Sequence, residues 1–341
     1  MRLSGMVLIA VLLGGCGANA RESLEVPAAP VPETALAQVG TDDVQVFTNG
    51  TAATSALVAA VSGARRTVDA EIYEFDRPEL VNAMLSATRR GVAVRLLGDP
   101  TVAVTVATLR RLSAAGAVAT FFPVGPRQID HVKLLAVDGN EAFFGGVNWG
   151  ARSYRNQDYE VRLVGPAVSR LEHIFAADLR RAGLPARGLP TQPATAGEPQ
   201  VMTTFPDDEI GRAVVSMVRA ARRRLHIEMF VLTDTEVMAA LVDAARRRVD
   251  VRILLDPSQD LNQAAAARLR AAGARCRFYR SQGEKLHAKA AVMDGDHLLF
   301  GSANWTASGL HHNHELDIQL VQPELAAAVN ARMDADWRAA V

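Results

Sequence analysis

Residues 286–305 read LHAKAAVMDGDHLLFGSANW, and residues 130–149 read DHVKLLAVDGNEAFFGGVNW. An offset of 156 residues separates His131 from His287. The same offset separates Lys133 from Lys289, Asp138 from Asp294, Asn148 from Asn304, and Trp149 from Trp305. A pattern this long, repeated once at constant spacing, marks an internal duplication. In each copy the His and the Lys are two apart at the head of an apolar run. That run suits a buried strand, on which residues i and i+2 project to one face. Asp-Gly follows, a turn signal. A second apolar run then carries the chain back to Asn148 or Asn304. Each copy therefore offers an imidazole, an ammonium and a carboxamide on one surface, a set suited to a phosphoryl group. Lys and Asn can hold the anionic oxygens, while His can attack or donate a proton.

Working outward, each copy sits in the same run of elements. Before the first copy, the patterning predicts helix 54–64, strand 67–73, helix 78–90, strand 92–97, helix 105–115 and strand 117–122. After it come strand 159–164 and helix 167–182. The second half replays this with helix 213–224, strand 225–231, helix 236–248, strand 251–255, helix 263–272 and strand 274–279. Its own copy is followed by strand 315–321 and helix 323–338. Pro at the first helical position and Gly past the last punctuate helix 78–90, as capping preferences require. Asp99-Pro100 and Asp256-Pro257 close corresponding strands. Alternating strands and helices predict an α/β architecture with two similar α/β/α halves. The expected boundaries are 44–182 for the first half and 201–341 for the second. Between them, residues 183–200 are rich in Pro, Gly, Thr and Ala and read as a linker.

The chain has 341 residues, 49% hydrophobic and 22% charged, enough for a sizeable core. Lys plus Arg and Asp plus Glu both number 37, so net charge argues against a dedicated nucleic-acid binder. Residues 1–15 carry Arg2, a short apolar run and then Leu13-Gly14-Gly15-Cys16. The apolar run is too short to span a bilayer and reads as a signal segment. Residues 16–43, with Pro27, Pro30 and Pro32, are expected to form a flexible tether.

The repeated stretch resembles the signature of the phospholipase D superfamily, HxK, then Asp after four residues, then GSxN after six more. The second copy matches in full through His287, Lys289, Asp294, Gly301, Ser302 and Asn304. The first matches through His131, Lys133, Asp138, Gly145 and Asn148, with Gly146 where the family has Ser. The resemblance covers roughly residues 44–325. It implies two halves packed as a pseudo-dimer, with one active site shared at their interface. It also implies a phosphohistidine mechanism, with His131 as nucleophile, His287 as acid and base, Lys133 and Lys289 neutralising the phosphate, and no metal or cofactor. Asn148, Asn304 and Ser302 are expected to donate hydrogen bonds to the phosphate, with one contact fewer at Gly146.

Asp158 lies 27 residues beyond His131, and Glu315 lies 28 beyond His287. Superfamily members place an acid here that orients the His, read here as the His of the same half, through its other ring nitrogen, and surface carboxylates at a strand start are the alternative. Asp138 and Asp294 read as turn or outer-layer aspartates. Glu71 and Glu228 also match across halves, either lining the site or pairing structurally. Trp149 and Trp305 are expected to pack beneath the site. His311, His312 and His314 form the only His-rich patch. Without Cys or regular helical spacing it reads as a loop at the pocket mouth, not a metal site.

Leu13 to Cys16 likewise resembles a bacterial lipoprotein signal, implying lipidation of Cys16 and an extracytoplasmic, membrane-anchored chain. An ordinary signal cleaved after Ala18 or Ala20 is the alternative. The function these resemblances imply is hydrolysis or transfer of phospholipid headgroups by a membrane-tethered monomer. Related cardiolipin-synthesising enzymes carry out the transfer. An extracytoplasmic nuclease, acting on nucleic acid as alternative substrate, and a non-catalytic anion- or headgroup-binding lipoprotein are the other two readings.

Overall fold

The computed structural model describes residues 31–190, 199–205 and 207–341. The expected signal segment, Cys16 and most of the expected tether and linker lie outside these residues. Two mixed sheets organise the rest. In the first half the chain runs β1 (Thr34–Val39), β2 (Asp42–Phe47), α1 (Gly50–Gly63), β3 (Thr67–Ile72), α2 (Pro78–Arg89) and β4 (Ala93–Gly98). It continues through α3 (Ala103–Ala114), β5 (Val118–Phe121), β6 (Lys133–Val137), β7 (Glu141–Gly145), β8 (Glu160–Val164) and α4 (Val168–Arg181). The second half runs β9 (Gln200–Thr203), α5 (Glu209–Ala220), β10 (Arg224–Met229), α6 (Thr235–Arg246), β11 (Asp250–Leu255) and α7 (Leu261–Ala271). It ends with β12 (Arg275–Phe278), β13 (Lys289–Met293), β14 (His297–Gly301), α8 (Ala307–His311), β15 (Leu316–Val321) and α9 (Pro323–Ala339).

The sheet orders are β1-β2-β8-β7-β6-β3-β4-β5 and β12-β11-β10-β13-β14-β15-β9. Read from opposite ends they coincide, apart from the extra edge strand β1. In both, three parallel strands meet an antiparallel run that begins at the motif strand: β6 pairs with β3, and β13 with β10. The two α/β halves expected from the duplication are therefore present.

The later part of the expected tether, residues 16–43, is strand instead. Thr34–Val39 pairs with Asp42–Phe47 as a hairpin that extends the first sheet. The alternation within 34–47 is the signal: its burial pattern is eieieB, then BeBiBB. β9 also begins inside the expected linker, at Gln200.

Three apolar clusters hold the layers. One lies under α1, α2 and α3, built on Leu57, Leu80, Met84 and Leu109. Another lies under α5, α6 and α7, built on Val214, Val218, Leu241 and Leu269. The third joins the halves: Leu134, Phe144, Val161 and Phe175 meet Ala290, Phe300, Ile318 and Val329. A seam filled with buried aliphatic and aromatic side chains contributes on the order of 1.5–3 kcal/mol per fully buried large residue. The halves are thus one packed body across a shared core.

Candidate active site

The motif strands carry their His residues just before their first paired residue, and backbone hydrogen bonds stitch the seam there. His131 N–H donates to the His314 carbonyl at 2.8 Å, and His314 N–H to the Ile129 carbonyl at 2.9 Å. At the second crossing, Gln157 N–H donates to the Lys285 carbonyl and His287 N–H to the Gln157 carbonyl, both at 2.9 Å. Each is a short parallel bridge, Asp130 with His314 and Gln157 with Leu286. In a parallel bridge the next residues also lie side by side. Hence His131 falls beside Glu315, and His287 beside Asp158.

The acids therefore serve the opposite half. His131 Nδ1 lies 2.8 Å from Glu315 Oε2, and His287 Nδ1 lies 2.6 Å from Asp158 Oδ2. Sequence spacing had associated each acid with the His of its own half. The bridges explain the exchange, because the segment preceding β8 or β15 crosses the seam before rejoining its own sheet. A carboxylate accepting from Nδ1 fixes the tautomer and leaves Nε2 free to react. The two imidazoles face one another with ring centroids 6.4 Å apart.

Lys133 and Lys289 are buried beside them. Each ammonium donates to the carbonyl of its own His, Lys133 at 2.6 Å. Lys289 Nζ also stands 3.1 Å from His287 Nε2. Burial drives the lysine pKa values down, to about 7 for Lys133 and about 8 for Lys289, against the opposing pull of Glu315 and Asp158. Burial and then the lysine charges push His131 well below its usual range and His287 to about 4. Glu315 is raised to about 7 by burial, with Lys133 and Ser302 opposing. Burial thus holds both ammonium groups close to losing their protons, and an anion set between them would favour their charged forms.

Ser302 is not aimed at a phosphate. Its hydroxyl donates to Glu315 Oε2 at 2.6 Å and accepts from Leu316 N–H at 2.9 Å. It holds the acid that holds His131. In the other half a Cβ on Gly146 would overlap Asp158 Oδ1. The missing hydroxyl there is room for the shorter acid, not a lost contact. Asn148 and Asn304 each keep an Oδ1 with no partner among the described residues.

Asp138 and Asp294 lie at the far ends of their strands. Both occupy the left-handed region, with φ 53 in each. Asp138 accepts from the N–H groups of Arg65, Arg66 and Thr67, and Asp294 from those of Arg222, Arg223 and Arg224. They fasten the turn that precedes β3 or β10 and do not reach the imidazoles. Glu71 and Glu228 are buried away from the site in carboxylate clusters, Glu228 accepting from Tyr159 Oη at 2.8 Å. Trp149 and Trp305 were expected beneath the site and pack instead in the outer cores. His314 is no mouth loop: it is buried at the seam, stacked on Phe122 with centroids 4.6 Å apart.

Sequence reasoning missed two pairs. Tyr73 and Phe230 each stand 4.8 Å from a motif imidazole, beside His131 and His287. Asp99 accepts from Asp130 N–H at 2.7 Å, and Asp256 from Leu286 N–H at 2.8 Å, fixing the backbone just before each His. The repeated Asp-Pro was the available signal for the second pair.

Comparison with known proteins agrees with this geometry. The family described as cardiolipin synthase, PLD-like domain matches residues 57–179 and 214–337. Cardiolipin synthase A of Pseudomonas aeruginosa is 30% identical over 326 residues, covering 86% of this chain and 66% of that protein. Cardiolipin synthase B of Escherichia coli strain K12 is 27% identical over 315 residues, covering 81% and 75%. The crystal structure of phosphatidylserine synthase from Haemophilus influenzae Rd KW20 shares the fold, with TM-score 0.64, 11% identity and coverage of 87% and 85%. Two repeats, two His-Lys pairs on one seam and a family match to both halves lead to one assignment: the chain belongs to the phospholipase D-like family.

Proposed function

We propose that the chain transfers or hydrolyses phospholipid headgroups through a phosphohistidine. The observation that carries this reading is the pair of imidazoles facing across the seam, each backed by a carboxylate from the opposite half. His131 Nε2 attacks phosphorus while His287, as imidazolium, protonates the departing oxygen. The P–O bond breaks as the P–N bond forms. His287, now neutral, takes the proton from water or an alcohol, whose oxygen attacks phosphorus and displaces His131. Asp158 pulls His287 toward the imidazolium, against burial and the Lys289 charge, which together bring its pKa down to about 4. Lys133 and Lys289 neutralise the phosphoryl oxygens, and Asn148 and Asn304 add hydrogen bonds. The route uses the chain's own groups and needs no metal.

A phospholipid substrate is supported by the names of the relatives, cardiolipin synthases A and B. No helix among the described residues is long and apolar enough to cross a membrane. We infer an N-terminal lipid at Cys16 that holds the domain at a membrane surface outside the cytoplasm, where local concentration assists binding. The test offers vesicles of phosphatidylglycerol or phosphatidylcholine, and separately plasmid DNA, with and without EDTA. Headgroup release or a new diphosphatidyl lipid that survives EDTA is expected. DNA cleavage without lipid turnover would favour a nuclease, and neither activity in folded protein would leave an anion-binding lipoprotein.

A further inference from the structure

Behind the His131–Glu315 pair lies a second ionisable group that the proposed reaction does not touch. Glu71 comes from β3, Asp178 from α4, and His314 from the segment before β15. Asp130 precedes His131. All four are buried. One potential ligand atom from each of Glu71, Asp178 and His314 lies within 4.8 Å of the other two. His314 Nε2 stands 3.0 Å from Asp178 Oδ2 and 3.5 Å from Glu71 Oε1. Neither oxygen of Glu71 has a hydrogen-bond partner among the described residues, nor does Asp130 Oδ2. Buried acids crowded together in this way are costly unless a proton or a cation sits among them.

The second half shows how the fold meets that need elsewhere. Glu228 and Asp336 correspond to Glu71 and Asp178. There Arg332 clasps Asp336, with Nε 2.7 Å from Oδ2, and Tyr159 donates to Glu228. Arg332 corresponds to Ile174 in the first half, an apolar side chain in the shared core. The nearest alternative cation, Arg181, is exposed and lies over the Phe122 and Phe205 rings at 5.7 and 5.6 Å. The first half therefore keeps the carboxylate pair, adds an imidazole and a third acid, and omits the partly buried guanidinium.

We propose that Glu71, Asp178 and His314 bind a divalent first-row cation of the Mn²⁺ or Zn²⁺ class, with Asp130 as the next available carboxylate. Oxygen donors joined by a single imidazole suit such an ion better than Ca²⁺, which takes oxygen ligands alone. Binding forms one metal–nitrogen and two metal–oxygen bonds. It releases to solvent the proton of His314 Nε2 and the one that burial otherwise keeps on Glu71. Burial, followed by the charges of Asp130 and Asp178, raises the Glu71 pKa well above the usual carboxylate range. The ion would tie β3 and α4 of one half to the crossing segment of the other. It would steady the backbone that carries Glu315, and it would not touch phosphorus.

The test uses the full chain, unfolded and refolded in EDTA, then refolded in parallel with Mn²⁺, Zn²⁺, Mg²⁺ or Ca²⁺ and dialysed. Metal content and melting temperature are read on each sample. About one equivalent of Mn²⁺ or Zn²⁺ should be retained, with the melting temperature raised by roughly 5 °C or more. Glu71→Gln should lose both effects. Wild-type protein that retains no ion and melts alike in every sample overturns the proposal. So does retention of the ion, with its thermal shift, in Glu71→Gln. A Glu71→Gln chain that fails to fold leaves the decision to the wild-type metal content.

Discussion

The first half receives for its imidazole a long acid, Glu315, pinned by the Ser302 hydroxyl. The second half receives a short one, Asp158, lying against the bare Cα of Gly146. The exchange is reciprocal: where the chain shortens the acid it also removes the side chain beneath it. Conversely, the longer acid at 315 comes with a hydroxyl to hold it. A departure from the family pattern that looks like a deficit in one copy is thus a matched pair of changes. The two sites differ in how an imidazole is held, and they agree in what holds it.

The largest test of that comparison removes the imidazoles. His131→Ala and His287→Ala should each lower turnover by about 10³-fold or more, since attack and proton transfer are both lost. Melting temperature should change little. Only His287→Ala should still form a covalent phosphoenzyme, detectable by mass after acid-free quenching, with a substrate whose leaving group needs no proton. Next come the acids. Asp158→Asn and Glu315→Gln should each cost on the order of 10²-fold or more in kcat, as expected when an imidazole loses the carboxylate that fixes its tautomer. An unchanged rate in either variant would break the crossing as a functional arrangement.

A pH profile sharpens the electrostatic side. Lys133 and Lys289 titrate at about 7 and about 8, and each is a cation only below its pKa. Neutralisation of the phosphate is therefore lost as pH rises, and kcat/KM should fall through pH 7–8, well below the range of an ordinary lysine. The acidic limb comes from protonation of the attacking imidazole and should lie well below the range of an ordinary histidine, because burial and then the lysine charges push that ring down.

Smaller effects separate the two acid supports. Gly146→Ser should lower activity about tenfold and destabilise the fold by about 1–3 kcal/mol, because its side chain meets the Asp158 carboxylate. Ser302→Gly should cost only a few-fold in kcat, because Glu315 keeps the Asn313 amide at 3.2 Å. The smallest expected change is Asp256→Asn, about 1 kcal/mol in stability, because only one of the two oxygens that accept from the Leu286 and Ser258 N–H groups remains.

Much of this arrangement was legible from the chain. The duplication, the strand spacing of His and Lys, and the Asp-Gly turns are local, so the alternation of faces and the turn chemistry expose them directly. Partner choice was not local. Asp158 and Glu315 stand at matched distances from the His of their own repeat, and nothing in linear spacing says that the connecting segment crosses the seam. Ser302 was misassigned for the same reason: a hydroxyl in a phosphate motif says nothing about which acceptor stands nearest. The β1–β2 hairpin was missed because its Pro-rich approach obscured the alternation that follows at Thr34.

The bridges at Asp130–His314 and Gln157–Leu286 have a hereditary consequence. A single repeat would own both a histidine and a carboxylate, yet could complete neither pair by itself. Two identical copies, face to face, would complete both. Once fused into one chain, the copies are free to diverge in their outer helices but remain bound in their acids. Any substitution at 158 is judged by the performance of 287, and any at 315 by that of 131.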